Sequence, residues 1–245
     1  MSENKDEKQS PFRGLGSDLA AGLTHLFYPR LCEGCSKPLL QEEEVLCLNC
    51  SIYNLPRTAY HHIHENETFM RFAGRVKVEK ATSLAYFTAE GLLQHLLHRL
   101  KYDNGKDIGD YLGKQLGYDL QQVGWATGID AIVPVPLHPK KEAIRGFNQA
   151  TIIAEGMSEV LDMPVYANAV KRTRFTETQT QKTREERMEN MQGAFGVTDT
   201  ATISGKHILL IDDVLTTGAT LEACALSLLA VEGVKLSIAT IGIAV

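Results

Sequence analysis

Apolar positions along this chain follow two repeating patterns that alternate at regular intervals. Leu92, Leu93, Leu96, Leu97 and Leu100 share one face at the 3.6-residue period, which predicts a helix over 91–102. Further helices are expected over about 108–123, 147–161 and 219–231. Between them, strand character appears at 81–88, 129–135, 165–169, 194–197, 207–212 and 235–245. Ile208-Leu209-Leu210-Ile211 and 237–245 are nearly continuous apolar runs without alternation, as in strands buried on both faces. Such strands alternating with helices predict an α/β domain with a mostly parallel, twisted sheet flanked by helices. Gly105, Gly109, Gly113 and Gly117 recur every four residues, and close helix-on-helix packing is the expected reason.

The ends of the chain read differently. MSENKDEKQS is polar, lacks an apolar stretch of secretory type, and predicts a disordered tail over 1–20 in a cytoplasmic protein. No run approaches the ~18 apolar residues of a membrane helix, so no membrane insertion is expected. Composition, at 44% hydrophobic and 22% charged, is that of an ordinary globular protein, and the net charge of −5 confines any nucleic-acid contact to a local patch.

Four of the five cysteines lie together, as Cys32-x2-Cys35 and Cys47-x2-Cys50. Paired knuckles of this spacing predict a tetrahedral four-thiolate zinc site in a ribbon over 21–58, with a structural metal, because four thiolates leave no open position. Tyr28, Arg30, Lys37, Tyr53 and Arg57 would suit single-stranded nucleic acid, while Glu42-Glu43-Glu44 would repel it. His61, His62 and His64 read as a linker, and Cys224 as a small buried residue. The main domain is expected over 59–245.

The chemistry concentrates at 208–220. An apolar strand ends in Asp212-Asp213, a Val214-Leu215-Thr216-Thr217-Gly218 turn follows, and a helix then begins before Thr220. Ligands of open α/β sheets bind beyond the strands' carboxyl ends, and a helix N-terminus offers unpaired N–H groups to a phosphate. Gly218 permits close approach and the threonines add hydroxyl donors. Two acids of like sign to a phosphate suit instead the hydroxyls of an attached sugar. A Walker A loop is excluded, since no Gly-Lys-Thr/Ser occurs. The combination predicts a ribose 5-phosphate cradle.

This segment resembles the phosphoribosyl pyrophosphate (PRPP) motif of type I phosphoribosyltransferases. Glu90-Gly91 with Leu97-His98-Arg99-Leu100-Lys101-Tyr102, Val133–His138, Arg145-Gly146-Phe147-Asn148-Gln149-Ala150 and the Gln179–Phe195 stretch resemble the ComF family (the ComFC/GntX-like branch). The resemblance spans roughly 25–245. It implies a type I phosphoribosyltransferase fold and PRPP binding with Mg2+ through Asp212, Asp213, Val214, Leu215, Thr216, Thr217, Gly218 and Thr220. It also implies a pyrophosphate loop at Pro136, Leu137, His138 and Arg145. Over 171–187 six basic residues face three glutamates, and a mobile loop at about 171–193 is expected, with Lys182 and Arg184 as its pyrophosphate contacts. A hood for the acceptor is expected near 59–80. The activity so implied is pentosyl transfer to an amine or nucleobase-like acceptor with release of pyrophosphate, within single-stranded DNA handling and the competence machinery. A non-catalytic PRPP-sensing or nucleic-acid-binding adaptor is the alternative. The acceptor and the oligomeric state are not readable.

Overall fold

The computed structural model describes residues 29–173 and 193–245. They fall into two compact units divided between Ser51 and Ile52. The polar tail at 1–20 and most of the basic stretch, including Lys182 and Arg184, lie outside the described residues.

The second unit alternates helices and strands in chain order. Helix α1 (Glu67–Met70) precedes strand β1 (Lys80–Phe87), and helices α2 (Leu92–Tyr102) and α3 (Lys106–Gln122) follow it. Strand β2 (Ala131–Pro134) leads into α4 (Pro139–Arg145) and α5 (Gln149–Leu161). After β3 (Val170–Arg172) come β4 (Phe195–Val197), α6 (Thr200–Ile203), β5 (His207–Leu215), α7 (Ala219–Leu229) and β6 (Lys235–Ala244). The main sheet has the order β1-β6-β5-β2, and every pairing in it is parallel. The carboxyl ends of all four strands therefore share one edge, where the loops after β2 and β5 are neighbours.

The two apolar runs occupy the centre of this sheet. Ile208, Leu209, Leu210 and Ile211 are fully buried, as are Ile238, Ala239 and Ile241 of β6. Leu221, Cys224, Ala225 and Leu228 of α7 join Ile208, Leu210 and Ile238 in one apolar cluster. The glycine stripe packs α3 against α5. A Cβ on Gly113 would fall 2.2 Å from the Ile153 carbonyl oxygen, and one on Gly156 would fall 2.3 Å from that of Asp110.

Three local features depart from the sequence expectation. Strand β5 runs three residues past its expected end, to Leu215, with Asp212, Val214 and Leu215 paired to Thr240, Gly242 and Ile243 of β6. The strand expected at 165–169 is reduced to one bridge between Val165 and Ile132, because the chain turns where the Ala169 N–H donates to the Tyr166 carbonyl. Regular pairing resumes at β3, antiparallel to β4. The Pro-rich exit from β2 becomes α4, with Pro139 in its first turn and His138 Nδ1 accepting the Lys140 N–H at 3.2 Å.

The glycine packing is testable. Gly113→Ala should destabilise the unit by about 1–3 kcal/mol and lower Tm by roughly 4–10 °C, because a backbone carbonyl cannot yield as a side chain can. Gly196→Ala, whose added carbon meets nothing nearer than 4.0 Å, should leave the melting curve nearly unchanged.

Candidate functional site

The turn after β5 is shaped by its backbone. Gly218 has φ +81°, a left-handed conformation that seats the first turn of α7. A Cβ there would stand 3.3 Å from Leu215 Cδ1 and 3.5 Å from Phe72 Cε1, so the turn is packed from behind by the 59–80 segment. The Gly218 carbonyl accepts the Glu222 N–H at 2.8 Å, and Glu222 in turn pairs with Arg75. Leu215 is fully buried in the apolar core, which leaves its neighbours Val214 and Thr216 to line the opening.

Asp212, Val214, Thr216, Thr217, Gly218, Ala219, Thr220 and Leu221 enclose a cavity of about 50 Å3. A single water requires ~10–15 Å3, so the space takes a group with several polar atoms. Six of the residues expected at the sugar-phosphate site thus come together around one cavity. The remaining two, Asp213 and Leu215, are not among its walls.

The paired acids have different surroundings. Asp213 N–H donates to Asp212 Oδ1 at 2.8 Å, and Val214 N–H donates to Asp213 Oδ1 at 2.8 Å. Both side chains are buried, at 9% and 6% exposure. Burial, and then the Asp213 charge, hold the Asp212 carboxyl well above its ordinary range. Asp213 Oδ2 pairs with the Lys101 ammonium of α2, whereas Asp212 lies in the electrostatic reach of Arg172 and Cys224.

Next to the acids the chain gathers cations. Lys141 of α4 is depressed from the ordinary 10.5 by burial and then by the charges of Arg172, Arg145 and Lys101 around it. His138 is likewise lowered, by loss of solvent and by Arg172, Lys140 and Lys141. Arg172 stacks over Phe195, with its guanidinium 5.4 Å from the ring centroid, and Arg145 lies 5.7 Å from that of Tyr102. His138 and Arg145, expected on a pyrophosphate loop, therefore belong to this group. Pro136 and Leu137 are half-buried in the connection leading to it. Lys101 and Lys141 carried no expected role. Their only sequence signal was membership of the Leu-His-Arg-Leu-Lys-Tyr stretch and of the basic start of α4. The Arg145–Ala150 segment also holds the local structure in place. Asn148 Oδ1 caps α5 at the Ala150 N–H (3.1 Å), and its Nδ2 donates to the Val135 carbonyl (3.0 Å).

The other unit presents its four cysteine sulfurs within 4.8 Å of one another. Cys35 and Cys47 sulfurs are 3.7 Å apart, close to the ~3.8 Å edge of a tetrahedron with ~2.3 Å zinc–sulfur bonds. Burial opposes the Cys32 thiolate, but the N–H groups of Cys47, Gly34 and Cys35 outweigh it and bring the thiol down to about 7. Glu43, from the acidic triplet, accepts from Leu40 N–H at 2.8 Å and Leu48 N–H at 2.7 Å, so it braces the loop between the knuckles. Arg30 donates to the Leu40 and Gln41 carbonyls, which commits one of the cations expected to face nucleic acid. Arg57, in the second unit, pairs with Asp119, and Tyr28 lies outside the described residues. Among the described residues no other group of three or more His, Cys, Asp or Glu is placed to hold a metal, the three linker histidines included. No helix among them is long and apolar enough to cross a membrane.

Residues 147–245, which include the cavity, match the phosphoribosyl transferase domain family. DNA utilization protein YhgH of Escherichia coli K12 is 34% identical over 140 residues, covering 56% of this chain and 61% of that protein. Competence protein F of Haemophilus influenzae is 36% identical over 134 residues, covering 53% of this chain and 58% of that protein. The chain thus spans about three fifths of the length of these two relatives. Competence protein ComFC of Bacillus subtilis is 27% identical over 199 residues, covering 81% and 71%. Solved structures align loosely. They include a glutamine PRPP amidotransferase from B. subtilis (14% identity, 76% and 31% coverage, TM-score 0.36) and a hypoxanthine phosphoribosyltransferase from Staphylococcus aureus (17%, 55% and 62%, TM-score 0.33). Residues 147–245 thus match the phosphoribosyl transferase domain family, in a chain similar to proteins named competence protein F, ComFC and DNA utilization protein YhgH and whose four N-terminal cysteines fit a zinc ribbon.

Proposed function

We propose that the chain is a cytoplasmic ComF-type phosphoribosyltransferase that binds PRPP with Mg2+ and transfers the phosphoribosyl group to an amine or nucleobase-like acceptor. One observation carries the reading: an acid-and-threonine cavity at the start of α7 adjoins a cluster of Lys101, Lys141, Arg145 and Arg172. The backbone N–H groups at 216–220 and the threonine hydroxyls would hold the 5-phosphate, helped by the positive end of α7. Asp212 would accept from the ribose hydroxyls. The cations would receive the pyrophosphate, whose negative charge grows as the bond to the anomeric carbon breaks. A buried carboxylate lining the cavity is the hard oxygen donor that Mg2+ prefers, and the ion would add charge neutralisation at the phosphates. Lys182 and Arg184 are proposed as further pyrophosphate contacts from the basic stretch.

A second reading, a PRPP-sensing or nucleic-acid-binding adaptor, draws on one surface. Tyr102 is 69% exposed, its ring lies 4.8 Å from that of His98, and Arg145 borders it. An aromatic flanked by bases and cations suits a single-stranded DNA partner, and the names of the relatives point to DNA use and competence. The zinc ribbon is proposed as a structural module over 21–58, with the metal supplying most of its folding energy.

Four measurements test these readings. Asp212→Ala with Asp213→Ala should abolish PRPP binding by calorimetry, and undiminished affinity would refute the site. Wild-type protein that binds PRPP yet releases no pyrophosphate across a broad acceptor panel would favour the adaptor. The depressed Lys141 means that its charge disappears at a lower pH than for an ordinary lysine, so affinity for inorganic pyrophosphate should fall as pH rises through that alkaline window. Lys141→Met should bind more weakly at neutral pH and lose that part of the pH dependence. Metal analysis should find one zinc per chain, and Cys50→Ser should lose it; full zinc retention would sink the four-thiolate assignment.

A further inference from the structure

Glu222 occupies an unfavourable place for an anion site. It is the fourth residue of α7, and its N–H donates to the Gly218 carbonyl at 2.8 Å. Its side chain is only 6% exposed. Gly218 caps the helix without a side chain, so the first N–H groups of α7 are the donors that an anion at the cavity would meet. A buried carboxylate one turn away is poorly screened and would cancel much of their attraction. Arg75 supplies the opposite charge. Its guanidinium pairs with Glu222 Oε2, and the arginine is itself 17% exposed. Arg75 Nη1 donates to the Arg71 carbonyl at 2.8 Å, and Arg71 donates in turn to the Ala244 carbonyl at 3.2 Å, at the end of β6. Asn66 holds the start of the same segment to the Ala81 carbonyl of β1 at 2.7 Å. The guanidinium is thus carried on a segment fastened to the sheet, and neither Arg75 nor Glu222 is a wall of the cavity.

We propose that Arg75 is a positioning residue for an anion at the start of α7, acting through Glu222 by cancelling a buried negative charge one helical turn from the anion. This rests on the reading of the cavity as a 5-phosphate site. It gives the 59–80 segment a share in phosphate affinity that needs no contact with the phosphate. The mechanism also has a sign that a simple brace lacks. Loss of either partner weakens a brace. A charge-cancelling pair responds in opposite directions, losing anion affinity when the cation is removed and gaining it when the carboxylate is removed.

The test is calorimetry on the full, zinc-loaded chain with ribose 5-phosphate as the probe. Arg75→Met should weaken binding about tenfold, the order expected for one uncompensated charge within about 10 Å of the anion. Glu222→Gln, which keeps the shape of the side chain, should bind the probe several-fold more tightly than wild type, because Arg75 then adds an unbalanced positive charge. The double variant, with neither charge, should return to near the wild-type value. An Arg75→Met affinity equal to wild type, a Glu222→Gln protein that binds no more tightly than wild type, or a double variant as weak as Arg75→Met would each overturn the proposal. An unpaired buried carboxylate is costly, so melting curves accompany each variant. If Arg75→Met does not fold, Glu222→Gln and the double variant decide the matter alone. A wild type that binds neither ribose 5-phosphate nor PRPP would defeat the reading of the cavity and this proposal with it, whereas binding that ignores the substitutions would defeat the proposal alone.

Discussion

The double-sided burial of β5 is the constraint on which the site depends. With Ile208–Ile211 fully buried and paired to β2 on one side and β6 on the other, this strand cannot slide without exposing apolar surface. Its carboxyl end is therefore placed by the whole sheet. That rigidity allows two acids and a glycine turn to stand at defined positions beside α7. The close packing of α3 on α5 through Gly113 and Gly156 covers the sheet in turn, with carbonyl oxygens where side chains would ordinarily reach.

The electrostatic plan follows from that placement. Two neighbouring carboxylates in a buried strand repel each other, and the fold answers with Lys101, which pairs with Asp213 and whose charge also acts on Asp212. Lys101 neutralises Asp213, while Asp212 is left against the cavity with Arg172 nearby. The cations beyond Asp212 repel one another as well, which adds to burial in making Lys141 and His138 give up protons more readily than usual. An anion between them would relieve this repulsion. On the proposed reading, the acid would meet sugar hydroxyls, the backbone N–H groups a phosphate and the crowded cations a leaving anion, three complementary demands of one sugar-phosphate ester.

The segment over 59–80, expected as a hood for the acceptor, has a tight structural connection to the turn at Gly218. Phe72 is fully buried against Gly218, and Arg75 pairs with Glu222. A change in this segment would therefore be felt at the turn even without contact to ligand. In the separate cysteine unit, Glu43 and Arg30 close the loop between knuckles by bonding backbone groups, which accounts for charges that composition alone presents as a nucleic-acid question.

By itself the sequence determined the α/β class, the central position of the two unbroken apolar runs, the cavity-forming turn at Thr216–Thr220 and the grouping of the four cysteines. These are set by local periodicity and spacing, which need no knowledge of distant partners. The tertiary structure alone decided that Asp212 lines the cavity while Asp213 meets Lys101, that β5 continues to Leu215, and that the strand expected near 165 shrinks to a bridge. It also brought Lys101, Lys141 and Arg172 together from three elements separated by up to 71 positions along the chain (172 − 101). Charge pairing of this kind acts through space between side chains whose sequence neighbours carry no trace of it, so it becomes legible only when the helices and strands are assembled.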